Sequence, residues 1–455
     1  MRKSRNVDML YGRPWKQLLI FSIPVFVGYL LQNLYNSVDS IVVGNFVGKE
    51  ALAAVNATSS ITMLLTGFFV GLSTGASVLF ARSFGAQEYD KLRRASHTTM
   101  LFGTILGVAI AAVGIIWSRP LLEIIDCPED VFDAAREYMN VYIIGLLFTS
   151  LYNVAAGVLR AVGDSRSPFY SIAIASVMNI ILDVVLVGPF KMGVIGAALA
   201  TVISQLVSVI YTVSMMRRMD ERYAFRLREL AIDKKILKEV IQLGLPAGVQ
   251  MSLVSISNMF ISRYINSFGS AATGGVGAAT RLDQFVSMPS QSLGLAITTY
   301  VSQNVGAGKQ DRVAKGFWSS CLMAGISLLV LGLPLFIWSD FFMRMFTQDA
   351  EVMAYGTAMM RVIIPFYVMM AFSSLLSGLI RGYGYSFQIM VISLVGMVVL
   401  RQIYLTIAMA INWNIQVVYF GYPVGWTFQV ILMAIYCLGL YRSGKLRQPS
   451  EKQSA

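Results

Sequence analysis

Asp39 is the residue whose type and setting demand explanation first. It lies in QNLYNSVDSIVVG, residues 32–44, inside the first long apolar segment. Gln32, Tyr35, Asn36 and Asp39 fall at i, i+3, i+4 and i+7 and share one helical face. An acid on a polar stripe within a segment otherwise suited to lipid is costly and marks a functional site. A second acid, Asp183, follows Asn179 by four residues in MNIILD of the fifth apolar segment. Counted from the helix ends at Gly44 and Gly188, both carboxylates sit roughly 7–8 Å below the outer surface of the bundle. Thr201 lies about 12 Å into the sixth segment by the same rise, and Asn153 near the middle of the fourth.

Two carboxylates in a low-dielectric cavity do not both stay ionised; they share a proton or take up a cation. Carboxylate, amide and hydroxyl oxygens suit a small hard cation such as Na+. Asp39, Asp183, Asn179, Thr201 and Asn153 are therefore expected to form a coupling site for H+ or Na+, with no other metal and no cofactor. The plainer alternative is that each acid pairs privately with local groups. Gln32, Tyr35 and Asn36 on the stripe, with Met178 beside Asn179, are expected to line a substrate cavity. Flexible methionines and flat rings suit adaptable binding.

The elements that must position these residues are membrane spans. The chain has 455 residues, of which 56% are hydrophobic and 13% charged, with a mean hydropathy of +0.65. Apolar runs of about twenty residues recur along its length, each long enough to cross a bilayer core. A β-barrel would show ten-residue alternating segments instead. The expected class is an all-α integral membrane protein with twelve spans. They fall near 16–44, 51–80, 95–116, 138–159, 168–187, 193–216, 239–264, 272–302, 316–337, 352–380, 387–410 and 418–441. The first run is too long for a signal-peptide core and is expected to stay. Of the 36 Lys and Arg, 27 lie in the termini and the even-numbered connections, which predicts both termini on the cytoplasmic side of a plasma (inner) membrane. The net charge of +12 thus reflects topology, and no nucleic-acid partner is expected.

The sequence repeats itself at an offset of 221. Gly85-Ala86 and Asp90 return as Gly306-Ala307 and Asp311, Trp117-Ser118 as Trp338-Ser339, and Gly157, Arg160, Gly163 and Ser165 as Gly378, Arg381, Gly384 and Ser386. Each half has six spans, an even number, so a pseudo-two-fold axis along the membrane normal is expected to relate two six-helix bundles. The expected division is 1–216 for the coupling-ion half, 217–238 for a basic cytoplasmic linker, 239–441 for the second half and 442–455 for a cytoplasmic tail. The acids do not repeat: adding 221 to 39, 179, 183 and 201 gives Phe260, Leu400, Tyr404 and Tyr422. The second half has its own charges within spans, Arg281 with Asp283, and Arg401. These are expected to be buried and to pair across helices, with lining of the cavity by Arg401 as the alternative.

Other chemistries find little support. Gly306-Ala307-Gly308-Lys309 lacks the Ser/Thr and the preceding strand of a phosphate loop. Cys127, Cys321 and Cys437 are scattered, so unpaired thiols are expected. His97, the only histidine, is expected to be at the surface or satisfied by local hydrogen bonds.

The stretch IPVFVGYLLQNLYNSVDSIVVGNFVGKEALAAV resembles the first-span signature of multidrug and toxic compound extrusion (MATE) transporters. GLPAGVQ at span seven and LLSGLIRGYG at the end of span ten are similar to the same family, and the likeness runs through the whole chain. Other branches place acids in spans seven and ten, where this chain is apolar around Val254 and Met370. Keeping Asp39 with Asn179, Asp183 and Thr201 resembles the DinF-like branch. The resemblance implies a secondary antiporter, not an enzyme, that exports amphipathic, often cationic, small molecules in exchange for H+ or Na+. It also implies coupling roles for Asp39, Asn153, Asn179, Asp183 and Thr201. A monomer in the lipid bilayer is expected. A flippase for lipid-linked sugars is the alternative, and it would need a cavity ringed by cations. A membrane-embedded enzyme is a further one, and turnover without an imposed gradient would reveal it.

Overall fold

Long apolar runs out of reach of water leave helix as the way to satisfy backbone N–H and C=O groups. The computed structural model is accordingly helical, with no strand among the described residues. It describes residues 6–125 and 127–444; the side chains at 40, 43, 45, 49, 50, 52 and 56 lie outside that description, as does the expected tail beyond 444.

Contacts divide the chain into two compact units. The first comprises Met1–Val7 and Val27–Gly248, the second Asp8–Phe26 and Val249–Ala455. The divisions fall inside two helices, α1 (Pro14–Phe46) and, in the order given below, α8 (Lys234–Asn266). Each carries a proline just before the cut, Pro24 or Pro246, which removes one intrahelical hydrogen bond there.

In the first unit, α2 (Lys49–Gly85), α3 (Tyr89–Ile116), the short α4 (Ser118–Ile124), α5 (Phe132–Ala161), α6 (Arg166–Val187) and α7 (Gly193–Arg217) follow α1. The central helix is α5, packed on α2, α3 and α7, with α6 against α7. The turn between α5 and α6 is set by Gly163, at φ +90°, where a Cβ would meet the Val7 carbonyl oxygen at 2.3 Å. Asp164 completes it, accepting from the Ser167 amide (2.9 Å) and the Arg166 amide (3.1 Å).

The basic stretch 217–238 belongs to this first unit, so the contact division falls at Gly248/Val249 and not at the stretch itself. Tyr223, Ala224 and Phe225 are buried. Ion pairs Arg93–Glu229 (3.3 Å) and Arg94–Asp233 (3.0 Å) tie it to the start of α3, and Lys91–Glu239 (3.0 Å) does the same for the residue that follows it. Asp233 caps α8, and the Ile236 amide hydrogen holds its carboxyl below the usual range, with help from Lys235 and Arg94. His97 is buried and satisfied: Nδ1 donates to the Arg93 carbonyl (2.7 Å), Nε2 accepts from the Arg226 amide (3.0 Å), and the ring stacks on Phe225. All three cysteines are free.

In the second unit, α9 (Ser270–Gly306) leads to α10 (Gln310–Ser327). A π-helical turn over Leu328–Gly332 joins α10 to α11 (Leu333–Ile337), followed by the short α12 (Ser339–Arg344). Next come α13 (Ala350–Ile363), capped by Asp349, and α14 (Tyr367–Gly382), joined by a tighter turn at Ile364–Phe366. A second π-helical stretch, Leu394–Leu400, joins α15 (Ser386–Ser393) to α16 (Arg401–Ile411), and α17 (Ile415–Arg442) ends the described chain. Matching elements recur within one residue of the sequence repeat's offset: α1 and α8 each have 33 residues, α2 and α9 each 37.

Among the described residues, 11 helical stretches are long and apolar enough to cross a membrane. The eighth expected span, α9, is a helix but is not in that set. Its composition follows from its position. It packs on α13 and α14, and every side chain from Ala296 to Val305 is buried, so protein rather than lipid surrounds the polar residues of that segment. A polar network lies nearby. The Arg381 guanidinium donates to Gln250 Oε1 (2.7 Å), Gln250 Nε2 to Ser393 Oγ (2.9 Å), Gln429 Nε2 to the same hydroxyl (2.8 Å) and Ser373 Oγ to Gln429 Oε1 (2.7 Å). Gln250→Leu removes the acceptor of a buried guanidinium, and a loss of about 1–3 kcal/mol is expected in the melting of the purified protein.

Candidate functional site

Three helices of the first unit bring the acidic site together. Asp39 comes from α1, Asn179 and Asp183 from successive turns of α6, and Thr201 from α7. Asp183 and Asn179 are 0% and 1% exposed, and Asp39 is half-buried. The carboxyls of Asp39 and Asp183 lie within hydrogen-bonding reach of each other. No described donor reaches either oxygen of Asp183 or Oδ1 of Asp39. Two carboxyls can hydrogen-bond only if one of them carries a proton. Asn179 Nδ2 is 3.5 Å from Thr201 Oγ1, and its Oδ1 is also without a donor. Four buried acceptor oxygens thus lack a donor within one helix cluster, whereas buried polar atoms are nearly always paired. A shared proton or a small hard cation would satisfy them; private pairing of each acid would not leave them bare.

Tyrosines stand near this group. Tyr35, hydrogen-bonded to Gln32, and Tyr138 and Tyr142 of α5 lie within electrostatic range of Asp39. Tyr138 also senses Asp183. The Tyr138 and Tyr142 rings stack with centroids 5.9 Å apart, and the Tyr142 hydroxyl is 3.5 Å from Thr66 Oγ1. Tyr138 and Tyr142 did not stand out in the sequence among so many aromatics. Their i, i+4 spacing on one face of α5 was the available signal.

The other sequence candidates are placed as follows. Asn153 is half-buried on α5 and its amide donates to the Thr149 carbonyl of its own helix (2.8 Å); no described hydrogen bond links it to the acids. Met178 and Gln32 are half-buried, and Asn36 is exposed. In the second unit, Arg281 is exposed, against the expectation of a buried charge paired across helices. The Asp283 carboxylate instead accepts the Tyr367 hydroxyl, because α14 brings that ring to the same level of α9. Arg401 is fully buried, as expected, but its partners are neutral: Nε donates to Ser257 Oγ (3.0 Å) and Nη1 to Asn258 Oδ1 (3.1 Å).

An all-helical membrane chain built from two repeats, one carrying a bare acidic cluster, is a multi-pass transporter. The MatE family model matches it twice, over residues 24–185 and 246–407, once for each repeat. The chain belongs to this family of multidrug and toxic compound extrusion transporters. It is 28% identical over 381 residues to the probable multidrug resistance protein YoeA of Bacillus subtilis (strain 168), covering 81% of each chain. It is 26% identical over 343 residues to a FAD transporter of Shewanella oneidensis, covering 74% of this chain and 75% of that one. Its fold matches an outward-facing MATE transporter of the MOP superfamily with a TM-score of 0.89, at 22% identity, over 98% of this chain and 100% of the other.

Proposed function

We propose that the chain is a secondary antiporter of the DinF-like branch. It exports amphipathic small molecules across the plasma membrane in exchange for H+ or Na+, as a monomer with both termini cytoplasmic. The observation that carries this reading is the pair Asp39 and Asp183, with no described donor at either oxygen of Asp183, at Oδ1 of Asp39 or at the carbonyl of Asn179 one turn away on α6. A relative named for multidrug resistance supports export of drug-like compounds.

In the proposed cycle the outward-facing state takes H+ or Na+ at this cluster, which neutralises the acids and releases substrate outward. The inward-facing state loses the ion and reloads substrate. The ion must bind the two states with different affinity, because only that difference moves the equilibrium. Asn179 and Thr201 orient the ion site, and Gln32, Tyr35, Asn36 and Met178 meet substrate. Asn153 has the weaker support of family resemblance.

The test is efflux of a fluorescent cationic dye from proteoliposomes under separately imposed pH and Na+ gradients. Export driven by one gradient and indifferent to the other names the ion. No export under either gradient would refute the proposal.

A further inference from the structure

Resting on the transport reading above, we propose that Arg401 makes the second unit a recognition site for an anionic group, a carboxylate or its like, on the exported molecule.

The guanidinium is 0% exposed, and no described carboxylate lies within ion-pair distance of it. Ser257 and Asn258 take Nε and Nη1, and Nη2 has no partner. A buried charge satisfied only by neutral groups is expensive within a membrane span and is kept where it serves a ligand. The surroundings are built for the arginine. Gly425 leaves room for its stem, since a Cβ there would stand 3.2 Å from Arg401 Cδ. Asp283 is held by the Tyr367 hydroxyl.

Access is short. Asn258, which accepts from the guanidinium, is itself only half-buried, so Arg401 stands one side chain behind the surface of its unit. An entering carboxylate replaces the Asn258 amide oxygen at Nη1 and adds Nη2, giving the two-pronged, charge-assisted contact that guanidinium geometry favours. The π-helical stretch Leu394–Leu400 ends immediately before this residue, and such stretches collect at functional positions in helices.

The test uses two dyes that differ at one group: rhodamine 110, with a free carboxylate, and rhodamine 123, its methyl ester. Binding to the purified full-length protein is read by fluorescence anisotropy. Arg401→Gln is expected to weaken rhodamine 110 by at least about tenfold and rhodamine 123 by less than about twofold. Arg401→Lys, which keeps the charge but loses the fork, is expected to fall between and carries the comparison if the glutamine variant does not fold. Equal loss of both dyes, unchanged binding of both, or no binding of rhodamine 110 by the wild type would overturn the proposal. Gradient-driven efflux of rhodamine 123 by the wild type reports separately on the transport reading. If it proceeds while the Arg401 variants fail to discriminate the dyes, only the anion site is lost.

Discussion

Asp183→Asn is expected to reduce gradient-driven export to the level of protein-free liposomes, a loss of tenfold or more. The purified variant is expected to melt no lower than the wild type. The reasoning separates the two readouts. Asparagine keeps the shape of the side chain but cannot gain and lose a proton, and it offers a cation one neutral oxygen in place of a carboxylate. Because no described donor satisfies Asp183 in the folded protein, removing its charge breaks no ion pair and relieves a buried cost. A carboxylate held by private structural partners would behave in the opposite way, with lower melting and normal flux. Asp39→Asn is expected to give the same loss of flux, and the double variant no more than either single one, since the two acids act as one site. Undiminished flux in either single variant would exclude the acidic pair as the coupling site.

Gly75→Ala is expected to destabilise the protein by about 2–3 kcal/mol or more, the range of overpacked sites. Gly71 and Gly75 of α2 face Gly244 and Gly248 of α8 within the first unit, one GxxxG pair against another. A Cβ at Gly75 would stand 2.1 Å from the Leu243 carbonyl oxygen, and one at Gly71 would stand 2.4 Å from that of Ala247. Both obstacles are backbone, which cannot swing aside as a side chain can. The helices must therefore separate, losing the close van der Waals contact that drives helix association where lipid gives no hydrophobic gain. Gly277→Ala is the control. A Cβ there meets nothing within 4 Å, and its gain of up to about 1 kcal/mol in helix propensity should appear as equal or higher melting. Similar melting of the two variants would refute this account of the α2–α8 contact.

Much of this was legible before any coordinates. Apolar length gave the spans, and the offset of 221 gave the repeat that the elements and the family match reproduce. The helical period put Asn179 and Asp183 on one face, and the depth count put Asp39 level with them. The GxxxG pairs were also written in the chain, but spacing alone does not say which helix a glycine face meets. Span eight was read by length, yet α9 is buried among protein from Ala296 to Val305, a fact no hydropathy window contains. Arg281 and Asp283 were expected to be buried and to pair across helices, but Arg281 is exposed. On a helix a spacing of two points side chains to different faces, and Tyr367 took the acid.

The opening stripe of Gln32, Tyr35, Asn36 and Asp39 shows where the boundary falls. Sequence by itself determined that an acid sits at membrane depth on one helical face, because covalent spacing and the helix rise fix both. Only the tertiary structure decided that Asp183 faces it, that Tyr138 and Tyr142 stand within electrostatic range of it, and that no described donor reaches its Oδ1 or either oxygen of Asp183. Those facts depend on which helices pack together and at what rotation. That is set by the whole interlocking surface of small residues and not by any one segment.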